Sequence, residues 1–258
     1  MTKPPTWTLT CDEFAWVWRQ ETRFDDAYDH PDPLAVRTTP TTEADADKLR
    51  TVLSERFPRG GDRGLSAVFT ILSNADTRVA CVSTIGNTEI RSHGAALDGL
   101  GVVAAQRFTP NEGGGDVRLA LVSRALVPAH LAAILPKAEP GGAGPMLGYT
   151  PRVRGEESPT HWTRDAEGRL PVDERIRKLM RISRSAEGYF VIERDPGTRP
   201  IRYLSWIDIP PGQFASGRYL IEVDDNDTTV TPADPAVLAR EISKRGYFHA
   251  TPKRQDDR

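Results

Sequence analysis

The chain has little cysteine, little histidine and no long apolar run, and each shortage removes a class of function. Two cysteines in 258 residues, Cys11 and Cys81, are too few for a disulfide framework or a structural zinc site. They read as two reduced thiols of a cytoplasmic protein. The five histidines, His30, His93, His130, His161 and His249, never approach one another at metal-ligand spacing. No window comes near the ~20 consecutive apolar residues of a membrane span. The opening Met1-Thr2-Lys3-Pro4-Pro5-Thr6 leads into no apolar segment, so neither a secretory signal nor membrane insertion is expected. Charge of one sign is missing too. With 34 basic and 36 acidic residues the formal net charge is −2, which gives no overall attraction to nucleic acid or an anionic membrane.

Reaction motifs are equally scarce. There is no G-x-x-x-x-G-K-[ST], no G-x-G-x-x-G between a strand and a helix, no G-x-S-x-G and no H-E-x-x-H. A calcium loop starting at Asp224 needs Gly at its sixth position and Glu at its twelfth; Thr229 and Pro235 stand there, so Asp224-Asp225-Asn226-Asp227 reads as an acidic hairpin turn. Gly113-Gly114-Gly115 joins two strand patterns and opens no helix, which favours a turn over a phosphate cradle. The pair Asp25-Asp26 cannot be placed across a cleft from sequence. No catalytic residue, metal or cofactor is expected.

What is present is an ordinary globular balance, 38% hydrophobic and 27% charged. A chain this long buries roughly 70–75% of its surface. The mean hydropathy of −0.47 implies solvated loops beside the core.

Trp7-Thr8-Leu9 reads as a strand, followed by Thr10 and Glu13 as a capping box for a helix over 11–21. That helix places Phe14 and Trp18 on a core stripe, and Trp16 nearly opposite. A strand is expected at 34–38 and a helix from Thr42 to about Phe57. From Leu65 alternation takes over, predicting strands at 67–73, 78–85, 88–93, 101–108 and 116–123. A short helix at 128–135 follows, stopped by Pro136. The stretch 137–170 is rich in Gly and Pro and reads as a connection, interrupted by a strand near 146–150. A helix at 173–183 then leads into strands at 189–194, 201–209, 217–223 and 228–231. The last helix, 235–245, has Asp234 as N-cap, Pro235 at its first position and Gly246 at C′.

The pattern predicts one α+β domain over 1–250, mostly antiparallel sheet with helices to one side or in bundles. It is open to a pseudo-two-fold arrangement, with an N-half 1–136, a connection 137–171 and a C-half 172–250. Each half runs helix, antiparallel strands, short terminal helix. The tail 251–258 is expected to be disordered.

Three blocks carry a resemblance. Near the C-terminus Trp206 and Asp208 precede Gly217-Arg218-Tyr219, then Pro232-Ala233-Asp234 with Leu238-Ala239. Mid-chain, Gly101-Val102-Val103-Ala104-Ala105-Gln106 and Asp116-Val117-Arg118-Leu119 precede Leu131–Pro136 and Pro140-Gly141. The third block is Trp7-Thr8-Leu9-Thr10 with Asp12-Glu13-Phe14. Order and chemistry resemble the EspG family of ESX (type VII) secretion, and 153–170 departs most from its pattern. The resemblance implies a cytoplasmic chaperone that binds the apolar helical tip of a PE–PPE-type heterodimer and keeps it soluble. It implies a partner surface in the C-terminal helical portion and a strand-connecting loop.

Within that region Leu179, Met180, Leu238 and Ile242 are the apolar candidates, with Arg240 and Arg245 at the rim. Packing of Leu238 and Ile242 on the sheet is the competing reading. Trp206, Asp208, Gly217, Arg218, Tyr219 and Asp234 read as fold-specifying, with an Arg218–Asp208 pair across neighbouring strands. An enzyme or small-molecule binder with a site assembled from distant residues, and a scaffold subunit, stay as alternatives.

Overall fold

The computed structural model describes residues 3–22, 30–158 and 168–249. Asp25, Asp26, His161 and the tail 251–258 lie outside them. The chain begins with β1 (Thr6–Leu9), α1 (Cys11–Thr22), α2 (Glu43–Arg56) and α3 (Arg63–Asn74). A meander follows: β2 (Thr77–Ile85), β3 (Thr88–Leu97), β4 (Leu100–Thr109), β5 (Gly113–Ser123), closed by α4 (Val127–Ile134). Next come β6 (Met146–Tyr149), α5 (Thr150–Arg154) and α6 (Val172–Met180). A second meander, β7 (Ala186–Arg194), β8 (Arg202–Ile209), β9 (Gly217–Val223) and β10 (Asp227–Pro232), ends in α7 (Pro235–Gly246).

All ten strands form one sheet in the order β1-β5-β4-β3-β2-β7-β8-β9-β10-β6, and the described pairings between its strands are antiparallel. The order is two-fold. In each half the edge strand pairs with the last strand of its meander, β1 with β5 and β6 with β10. The halves meet where the first strands of the two meanders, β2 and β7, pair. The closing helices α4 and α7 pack against each other across that seam. They bury one face of the sheet with Val79, Cys81, Phe190, Leu204 and Trp206. The other face carries two separate helical layers: α1 and α3 over the N-half, α6 over the C-half.

Local signals explain most boundaries. Thr10 and Glu13 form the capping box: Glu13 N donates to Thr10 Oγ1 at 3.2 Å and Thr10 N to Glu13 Oε2 at 2.9 Å. Asp234 Oδ1 accepts from Val237 N at 2.7 Å, and Pro235 opens α7. Trp16 donates through Nε1 to Phe57 O at 3.4 Å, closing α1 onto the end of α2.

Three expectations are corrected. The strand expected at 67–73 is the body of α3. Asp62 Oδ1 caps it, accepting from Gly64 N (2.8 Å) and Leu65 N (3.1 Å), and Leu65, Val68, Phe69 and Leu72 make a buried helical stripe. The segment 34–38 forms no strand, because the Gln106 side chain supplies the partner that a neighbouring strand would. Ala35 N donates to Gln106 Oε1 (2.7 Å), and Gln106 Nε2 donates to Ala35 O (3.2 Å). Gly246 lies within α7, and Tyr247 takes the left-handed C-cap at φ 52°. Glycine is needed at 246 for space: a Cβ there would lie 2.3 Å from the Phe248 ring.

Candidate functional site

Each helical layer on the second face stops short of the seam. Antiparallel register shows what is left uncovered. Ala80 pairs with His93 on one side and Val191 on the other, and Val191 pairs with Tyr203. In the next row Val82 pairs with Tyr189, and Tyr189 with Ser205, which pairs with Ile221. Side chains two apart on a strand share a face, so Val223 joins Ile221 beside Tyr203.

The result is a trough floored by β2, β7 and β8. Tyr203 is 66% exposed, Val223 52% and Tyr189 46%. Its deep end is a cavity of about 670 Å³, where Trp18, Leu72 and the segment His30–Pro33 overhang Ala80, Val82 and Val191. Strands lie ~4.8 Å apart, so three uncovered strands leave a gap about as wide as one α-helix with side chains, ~10–12 Å.

Sheets with one solvated face alternate apolar and polar residues. Strand β7 does not: Tyr189-Phe190-Val191-Ile192 is apolar on both faces, with Phe190 and Ile192 buried under the α4–α7 layer. In β8, Leu204 is buried while its neighbour Tyr203 is open. That doubled apolarity was the available sequence signal for the trough.

Polar groups line the deep end as well, among them Asp32, Ser73, Arg78 and Glu193, and Arg78 Nη2 donates to Ser73 O at 3.2 Å. His93, 4% exposed, lies 2.5 Å through Nδ1 from Asp32 O and holds the overhanging segment to the sheet. Burial pushes its pKa down to about 4, so the ring is neutral near pH 7 and Nδ1–H is the donor. Cys81 is fully buried, and burial raises its thiol pKa to about 11, which leaves an inert thiol. Among the described residues no group of three His, Cys, Asp or Glu could hold a metal ion, and no helix is long and apolar enough to cross a membrane. The arrangement offers a binding surface.

The residues singled out from sequence fall elsewhere. Leu179 packs against Ile207, Tyr219 and Val230 beneath α6, while Leu238 and Ile242 pack between α7 and the sheet. All three are at most 2% exposed and hold their helices to the sheet. Met180 is half-buried against the same cluster as Leu179. Arg245 pairs with Glu241 and Glu222, and the exposed Arg240 reaches Glu241 at 3.4 Å. The structure gathers Leu238 and Ile242 on one side of the sheet and Leu179 on the other.

The signature residues form a buried latch on the strap that joins the halves. Arg218 Nε donates to Asp208 Oδ1 at 2.7 Å and Nη2 to Oδ2 at 2.6 Å. Nη2 also donates to Pro136 O at 2.7 Å, and the guanidinium lies 4.7 Å from the Trp206 ring centre. Backbone bonds continue the latch: Arg218 N donates to Glu139 O (2.7 Å) and Gly141 N to Arg218 O (2.9 Å). Ala143 N donates to the Tyr219 hydroxyl, which donates in turn to Ala215 O. Gly217 has φ 112° with the Pro140 carbonyl 2.6 Å from where a Cβ would be, and a Cβ on Gly141 would enter the Tyr219 ring. The sequence block that carries the resemblance is therefore a fold-locking device at β8 and β9, with Trp206, Asp208 and Arg218 on the α4–α7 face and Tyr219 on the other, beneath α6.

Comparison with known proteins bears on both features. No curated protein matches the chain. Among solved structures it is similar to the Mycobacterium tuberculosis type VII secretion system chaperone EspG5, solved in complex with the PE25–PPE41 dimer. The two share 15% identity at a TM-score of 0.59, over 96% of this chain and 98% of that one. That likeness shows a shared fold. The sequence model of the EspG family matches residues 10–244, nearly the whole chain. The chain belongs to the EspG family.

Proposed function

We propose that this chain is a cytoplasmic chaperone of type VII secretion. It binds a PE–PPE-type heterodimer through the heterodimer's exposed apolar helical tip, which lies in the trough over β2, β7 and β8. The observation that carries this reading is the floor itself. Tyr189, Val191, Tyr203 and Val223 form one apolar surface on the sheet, as wide as one helix and walled by helices on both sides. A solvated patch of that kind on a folded chain marks a place where something docks. Helix-in-groove docking uses apolar anchors inside a polar rim, and the solved relative is bound to a PE–PPE dimer. Covering such a tip requires no nucleophile or cofactor, so the chain acts by binding.

The test is co-expression with PE–PPE-type pairs encoded beside it, followed by size-exclusion chromatography with light scattering. A 1:1:1 complex is expected, lost when the client tip is made polar. Failure of every soluble, folded pair to co-elute would overturn the proposal.

A further inference from the structure

The wall of the trough formed by α6 is strongly basic. Residues 168–184 hold six basic residues against two acidic ones, a local net of +4 in a chain whose net charge is −2. Half of those basic residues are not neutralised locally. Arg177 pairs with Glu174, and Arg184 pairs with Glu187. Arg175, Lys178 and Arg181 make no ion pair among the described residues, and Lys178 and Arg181 are exposed.

These three recur at a spacing of three, which places them along one side of a helix. The flanks of α6 can be told apart. Ile176 and Leu179 face the sheet. One flank meets α5, through Asp173 near Arg152 and Arg177 against Gly155. Because α5 packs over the outer strands β6 and β10, that flank points to the edge of the sheet. Arg175 and Lys178 lie on the opposite flank, which points toward the seam and the trough, with Arg181 at the solvent side. A helix needs one or two cations in its last turn to complement its dipole; Arg177 and Lys178 stand there, and Arg175 and Arg181 are beyond that need.

We infer that this basic flank of α6 is the electrostatic half of the docking surface and takes an acidic stretch of the client next to its apolar tip. The inference rests on the trough being the docking site. The apolar floor holds the tip, and the cations draw in the acidic stretch and fix which way round the client lies. Charges at the rim of an interface act mainly on the association rate and its salt dependence, whereas buried anchors act on dissociation.

The experiment measures association and dissociation rates of the purified chain with a PE–PPE-type heterodimer, from low to physiological salt. The expected result is an association rate that falls with salt for the wild type. In Lys178→Glu/Arg181→Glu it drops by about tenfold at low salt and loses its salt dependence, with dissociation unchanged. Replacing the client's acidic residues by lysine should restore the rate to that variant. Arg175→Gln serves as a milder second variant. A complex whose association rate is the same in wild type and variant would overturn this inference and leave the docking reading intact. Absence of any wild-type complex would overturn both. Vesicles of phosphatidylserine and phosphatidylcholine, and duplex DNA, are the other probes. Variant-sensitive binding to either, with client association unchanged, would assign the basic flank to that polyanion and overturn the inference.

Discussion

Asp208→Asn is the sharpest test of how the fold is locked. It removes one charge from a pair in which Arg218 is fully buried and Asp208 nearly so, while keeping shape. The guanidinium keeps its bond to Pro136 O and its contact with Trp206 but has no anion. Leaving one charge of a buried pair uncompensated costs about 3–5 kcal/mol. At about 2–4 °C per kcal/mol for a chain of this size, melting should fall by roughly 6–20 °C. Arg218→Met should cost a similar amount, because it orphans the Asp208 carboxylate and Pro136 O. The double variant Asp208→Asn/Arg218→Met removes both charges and should lose clearly less than the two singles added together, a coupling above ~1.5 kcal/mol. Urea unfolding with unchanged slope provides the numbers. Single losses below about 1 kcal/mol, or strict additivity, would refute the claim that this pair locks the strap to β9.

Three further outcomes follow from particular contacts. His93 is held near pKa 4 when folded against 6.5 as the ordinary value, so between those values the unfolded chain binds a proton that the folded chain does not. Its contribution is fully present above about pH 6.5 and is lost as pH falls toward 4, by about 3 kcal/mol; urea titrations should show that slope shrink in His93→Asn. Gly141→Ala drives a methyl into the Tyr219 ring and should cost about 1–3 kcal/mol, read as a lower melting temperature and faster cleavage of the strap. Gln106→Ala removes both bonds that hold Ala35 and should speed amide exchange at 34–36 while β4 stays protected.

The fold was legible where a signal is local. The capping box at Thr10 and the Asp234 cap each specify their geometry within a few residues, and the alternation of the two meanders sets the strands. Legibility failed where a distant group decides. Residues 67–73 are short and apolar enough for either period, and the Asp62 cap tips them into helix. Residues 34–38 look like a strand, yet the amide that satisfies them belongs to Gln106, far along the chain. The trough was passed over for a related reason. Leu238 and Ile242 are conspicuous because a well-formed amphipathic helix displays its stripe in the sequence, and such a stripe is normally core. The trough depends on which strands the helices fail to cover, which only the assembled sheet reveals, although the apolar run Tyr189–Ile192 carried a hint.

The central claim is that a client lies over β7 and β8, and a photo-crosslinking residue at position 203 addresses it most directly. The same residue at position 126 is the control: Leu126 is also exposed but lies beside α4, away from the trough. In the purified complex the account predicts a covalent link from position 203 to the helical tip of the PPE-type subunit, and none from position 126. A complex that forms normally but links only from position 126, or links position 203 to no part of the client, would contradict it.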